Sequence, residues 1–137
     1  MILEIKRNKY YNIGQVSIKG GIIMPFINVK TNVSLDDNAK NTIESRLSKA
    51  ISLIPGKSEA YLMCAVEDKI SMMFQGNSNK NIAFVEVKIL GSSSKDNYAK
   101  LTAEICNILS EEAGVDGSNC YVKFEEVKYW GMDGFMF

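Results

Sequence analysis

Two stretches of the chain repeat apolar residues at spacings of three and four, the period of an amphipathic helix. The first places Ala39, Ile43, Leu47, Ala50, Ile51 and Ile54 on one face, opens with Ser34 and Asp37 in capping-box spacing, and stops at Pro55-Gly56. The second places Tyr98, Leu101, Ile105, Ile108 and Leu109 together, follows the Ser92-Ser93-Ser94 cluster and stops at Gly114. Strand-like runs flank both helices: Phe26 to Thr31 and Ala60 to Val66 around the first, Ile82 to Leu90 and Cys120 to Tyr129 around the second. A shorter run, Ile70 to Gln75, reads as an edge strand and turn, and the aromatic, methionine-rich tail Trp130 to Phe137 as a small final element that plugs an apolar groove.

The two halves are copies of one unit. Phe26 and Phe84 lie 58 apart, as do Val29 and Val87, Ile43 and Leu101, Leu47 and Ile105, Ile51 and Leu109, and Gly56 and Gly114; Tyr61 and Tyr121 match at 60. Strand, helix, strand, repeated without a Pro, Gly or Ser-rich linker, predicts an α+β fold. Two pseudo-symmetric right-handed βαβ repeats form a four-stranded mixed sheet with two antiparallel helices on one face. Apolar residues such as Met63, Ala65 and Phe84 populate the other face as well, which predicts that neighbouring subunits cover it. Residues 1–23 have no counterpart in either copy, so the chain divides into an N-terminal extension, 1–23, and one domain, 24–137.

Composition narrows the chemistry. Sixteen Lys and Arg balance sixteen Asp and Glu in 137 residues, which gives no electrostatic reason to expect nucleic acid or an anionic membrane as partner. No apolar run approaches the roughly 20 residues of a membrane span. Histidine is absent, which removes Ser-His-Asp and Cys-His catalysis and imidazole-ligated zinc. Cys64, Cys106 and Cys120 have no metal-ligand spacing and read as reduced, packed thiols, so neither a metal nor a cofactor is expected. The adjacent pairs Asp36-Asp37, Glu111-Glu112 and Glu125-Glu126 read as solvated surface groups. Met24-Pro25, immediately before the first core strand, has two readings. The proline either fixes the start of a strand or, in a chain that begins at Pro25, presents a secondary amine able to act as a base near neutral pH.

The strings MPFINVKTNV from Met24, PGKSEAY from Pro55, MMFQGNSN from Met72 and NCYVKFEEV from Asn119, in that order, resemble the macrophage migration inhibitory factor family of the tautomerase superfamily. The similarity spans Met24 to Phe137. It implies a homotrimer with an active site at each subunit interface. The implied activity is keto-enol tautomerisation of small aromatic α-keto acids such as phenylpyruvate, or of dopachrome-type substrates, with Pro25 as the base. Lys57 matches the family lysine that pairs with the substrate carboxylate, Tyr61 and Tyr121 match pocket residues, and Leu90 falls where a backbone group contacts substrate. Phe26, Trp130, Met132 and Phe137 complete the implied apolar wall. Two features depart from the family pattern: Lys123 stands where an asparagine is usual, and Ile82-Ala83-Phe84-Val85 replaces a CxxC. The resemblance also implies a cytoplasmic protein or one exported without a signal peptide. In the latter case a cell-surface receptor is the partner, and the chain a cytokine-like ligand. If the extension is retained, the resemblance leaves an inactive trimer as a further alternative.

Overall fold

The computed structural model describes residues 24–57 and 59–137; the extension expected over residues 1–23 lies outside the described residues. The strands are β1 (Pro25–Thr31), β2 (Met63–Glu67), β3 (Ala83–Leu90) and β4 (Cys120–Val127), and the helices α1 (Asp37–Ala50) and α2 (Lys95–Ala113). A two-residue pair, β5 (Gly131–Met132) and β6 (Phe135–Met136), ends the chain.

The four long strands form one sheet in the order β2-β1-β3-β4. β1 is parallel to β2 and β3 is parallel to β4, while β1 and β3 run antiparallel at the centre with Pro25 opposite Ile89 and Lys30 opposite Phe84. Each parallel pair is one βαβ unit, so the repeat and the mixed sheet are both present. Because each helix runs against its own strands and the central strands oppose, α1 and α2 are antiparallel. They pack on each other and on one sheet face.

Alternation within the strands separates core from open face. Ile27, Val29, Val85, Val87 and Ile89 are fully buried against Ile43 and Leu47 of α1 and Leu101, Ile105, Ile108 and Leu109 of α2. The alternate residues Phe26, Met63, Phe84 and Tyr121 stand on the opposite face, where Met63 is 67% and Tyr121 60% exposed. Asn28 lies between Ala65 and Glu86 on this face, with its side-chain Oδ1 buried and, among the described residues, without a hydrogen-bond partner.

Several boundaries differ from the sequence reading. Asp36 caps α1, its Oδ1 accepting from the Ala39 N–H at 2.8 Å, in place of the expected Ser34–Asp37 box. Asp68 explains the change: it accepts from the Leu35 N–H at 2.9 Å and pairs with Lys40 at 3.0 Å, fixing the approach to the helix one residue short of the cap. α1 ends at Ala50, and Ile51–Leu53 tightens into a 3-10 turn that keeps Ile51 and Ile54 fully buried. Residues 60 and 61 belong to a 3-10 turn (Glu59–Tyr61) rather than to β2, and β4 ends at Val127.

The edge strand expected over Ile70 to Gln75 does not form. The Lys69 and Ile70 N–H groups donate to the Val33 and Thr31 carbonyls, and Phe74 bridges only to Asn77 across a turn with Gln75 and Gly76 at positive φ. Nor are the acidic pairs merely solvated. Glu111 and Glu112 hold the Arg46 guanidinium at 2.7 and 3.0 Å across the two helices, and Glu126 accepts from the Tyr98 hydroxyl at 2.6 Å.

Candidate active site

The start of β1 forms the floor of a cavity of about 340 Å³ lined by Met24, Pro25, Phe26, Tyr61, Met63, Trp130, Gly131 and Met132. Three segments converge there for different reasons. β1 delivers Pro25 and Phe26, the 3-10 turn before β2 delivers Tyr61, and the parallel β1–β2 register sets Met63 beside Phe26. The C-terminal hairpin supplies Trp130 and Met132. It turns at Asp133 (φ 54°) and Gly134 (φ 80°), two successive left-handed residues of the tight-hairpin kind, and the Phe137 N–H closes it by donating to the Trp130 carbonyl at 2.9 Å.

Pro25 is buried, and its nitrogen is joined to Met24, itself 3% exposed. The Met24 carbonyl accepts from the Leu90 N–H at 3.1 Å, which fixes Leu90 against the Met24–Pro25 peptide. Lys57 follows Gly56, whose φ of 84° turns the chain back after the helix, and is 4% exposed. Among the described residues its Nζ has no hydrogen-bond partner, and burial pushes the ammonium down to about 8. An unpaired buried cation is expensive, so this lysine sits in the state that gains most from an incoming anion.

The structure therefore gathers five of the sequence-derived residues, Pro25, Phe26, Tyr61, Trp130 and Met132, at one cavity. Leu90 and Phe137 adjoin it through backbone hydrogen bonds, whereas Lys57 is not on its lining. Tyr121 and Lys123 stand apart from it in the same chain. Tyr121 pairs with Phe84, which pairs with Lys30, five residues along β1 from Pro25, or roughly 16 Å. Lys123 pairs with Glu86 nearby. Met63 was missed as a lining residue, although its position on the open face beside Phe26 follows from strand alternation.

Tyr121 lines a second cavity of about 220 Å³ with Met72, Met73, Phe74, Ile82, Ala83, Phe84 and Asn119, its ring edge-on to Phe74 at 5.0 Å. This cavity is the pseudo-symmetric counterpart of the first. Met24, Pro25 and Phe26 correspond to Ile82, Ala83 and Phe84 at the same offset of 58, and Tyr61 corresponds to Tyr121. Of the two corresponding positions, only the first has proline, whose amine is secondary when a chain begins there.

These features define a class: a duplicated β-α-β subunit with a proline at the head of its first strand, flooring an apolar cavity. The family model described as "Macrophage migration inhibitory factor (MIF)" matches residues 24–136. The chain belongs to the macrophage migration inhibitory factor family, within the tautomerase superfamily. No curated protein sequence matches. Among solved structures, the chain is similar to Leishmania major MIF2, at 28% identity over 83% of this chain and 97% of that one with a TM-score of 0.78. The macrophage migration inhibitory factor-like protein of Entamoeba histolytica follows at 27% identity, 83% and 99% coverage and a TM-score of 0.75. The Prochlorococcus marinus homologue is similar at 27% identity, 82% and 98% coverage and a TM-score of 0.74.

Proposed function

We propose that the chain, when it begins at Pro25, is a keto-enol tautomerase for small aromatic α-keto acids, phenylpyruvate being the test substrate, and that it works as a homotrimer. The observation that carries the reading is Pro25 flooring an apolar cavity beside Leu90, with the unpaired cation of Lys57 on the loop that leads to Tyr61.

The steps follow from charge and burial. A free pyrrolidine nitrogen in an apolar pocket favours its neutral form, leaving a lone pair for a proton on the carbon next to the keto group. Nitrogen takes up that proton and delivers it to the keto oxygen, which completes the enol; in the reverse direction it takes the enol hydroxyl proton and returns it to carbon. The substrate carboxylate pairs with Lys57, and Phe26, Tyr61, Trp130 and Met132 receive the aromatic ring. Loss of Met24 frees the Leu90 N–H together with the proline nitrogen, so one cleavage yields both a base and a hydrogen-bond donor.

The two cavities support the trimer. They lie at opposite ends of one subunit and are unlike in composition, so a contact joining the first cavity of one copy to Tyr121 and Lys123 of the next is head-to-tail, the kind that forms a ring when its rotation closes. Such a ring also covers the apolar open sheet face. The test is phenylpyruvate ketonisation by the chain starting at Pro25. Activity that disappears in Pro25→Gly supports the assignment, and undiminished activity in that variant sinks it.

A further inference from the structure

The function proposed above leaves one nucleophilic pair unused, on the far side of the core from Pro25. Tyr98 of α2 stacks on Phe124 of β4 at 4.5 Å between ring centroids, which fixes where the helix crosses the strand. From Tyr98, eight residues along α2 to Cys106 is roughly 12 Å. From Phe124, four residues back along β4 to Cys120 is roughly 13 Å. Helix and strand run in opposite directions, so the two paths end opposite each other. Cys120, Val122 and Phe124 share the strand face under the helices, and Cys106 lies two turns beyond Tyr98 on α2. Both thiols are half-buried and free. Burial raises the Cys120 thiol to about 12, and the Cys106 side chain is the neighbour that raises it further, in keeping with the position the two paths give it. Cys64 is elsewhere, on β2, with Glu44 of α1 as its charged neighbour.

We infer that Cys106 and Cys120 are a disulfide-forming pair, a reversible oxidation site that joins α2 to β4 when the protein meets a low-molecular-weight disulfide. The thiolate of one cysteine attacks the oxidant, forming a mixed disulfide and releasing one small thiol. The second cysteine then attacks the protein sulfur of that bond, forming the Sγ–Sγ link and releasing the second small thiol. Two electrons pass from the pair to the oxidant, and the two thiol protons leave with its products. The raised Cys120 thiol is the slower attacker, so the mixed disulfide forms on Cys106 and Cys120 closes the bond slowly. The link crosses only local structure and leaves Pro25 and Lys57 untouched.

The full native chain is incubated with oxidised glutathione, quenched, unfolded and alkylated, and the label counted by mass. The expected result is a fall from three alkylated cysteines to one, the remaining label on Cys64, a peptide cross-linked between Cys106 and Cys120, and full return of three labels after dithiothreitol. Cys64→Ser should leave the cross-link in place, and Cys120→Ser should replace it with a stable glutathione adduct on Cys106. Three labels persisting at equilibrium with excess oxidant would overturn the inference, as would a cross-link through Cys64 or between chains.

Discussion

The Leu90 N–H donates to the Met24 carbonyl at 3.1 Å, so the residue preceding Pro25 occupies a donor at the edge of the cavity that Pro25 floors. While Met24 is attached, the proline nitrogen is an amide without basicity, and Leu90 is already paired. A chain beginning at Pro25 is expected to ketonise phenylpyruvate with a kcat/KM on the order of 10²-fold or more above that of a chain retaining Met24, the range a positioned base supplies. Loss of the ultraviolet absorbance of the enol measures it. Equal rates for the two chains would remove Pro25 as the base.

Lys57 is expected to cost stability for the sake of binding. Its folded value near 8 lies below the ordinary 10.5, so the unfolded chain holds the proton more tightly and folding is penalised wherever the unfolded lysine is charged. The penalty is full below about pH 8 and disappears as pH rises to 10.5, so stability rises across that window. Lys57→Met removes a buried charge and keeps the stem volume. It should be more stable at pH 7 by roughly 2 kcal/mol in urea unfolding, lose the rise between pH 8 and 10.5, and show a raised KM for phenylpyruvate. Lower stability than the parent chain at pH 7 would mean that an unseen partner already neutralises Lys57.

Much of the fold was legible because it is duplicated. The offset of 58 aligned Ile43 with Leu101 and Leu47 with Ile105, four residues that proved fully buried, and the same offset relates the two cavities. What the pattern lacked was polar bookkeeping. Ser34 and Asp36 both satisfy a capping rule, and only the Asp68 contact to Leu35, 33 residues distant in sequence, decides between them. Ile70 to Gln75 has strand composition, but the Ile70 N–H is taken by the Thr31 carbonyl at the end of β1 and Phe74 pairs with Asn77 across a turn, so no ladder starts. Among the site residues, Pro25, Phe26 and Tyr61 follow from strand ends that the repeat locates. Trp130 and Met132 required the hairpin to fold back, which depends on left-handed Asp133 and Gly134.

Gly114 ends α2 in the left-handed region, φ 66°, and its carbonyl accepts from the Asn81 side-chain amide at 3.0 Å. A Cβ there meets Asn81 Nδ2 at 3.3 Å, so Gly114→Ala combines backbone strain with a tight contact and should cost about 1–2 kcal/mol in urea unfolding. Gly117 has open space around the corresponding position and no left-handed φ, and Gly117→Ala should be neutral within about 0.5 kcal/mol. Equal costs for the two would show that the αL cap contributes nothing to stability.

The separation of Pro25 from Tyr121 makes a prediction that no single-chain site can satisfy. The two residues lie roughly 16 Å apart along β1 alone, with β3 between their strands, yet a shared site requires both at one substrate. If each site takes Pro25 from one copy and Tyr121 from the next, Pro25→Gly and Tyr121→Ala impair every site in their own homotrimers. Dissociating the two variants, mixing them equally and reassembling them restores intact sites wherever a Tyr121→Ala copy supplies proline and a Pro25→Gly copy supplies tyrosine. Random assembly does this at about a quarter of positions, one half times one half, so activity should recover to about 25% of the parent trimer. Phenylpyruvate turnover before and after reassembly reads it directly. A mixture no more active than the average of its two parents would confine each site to one chain and leave Tyr121 outside it.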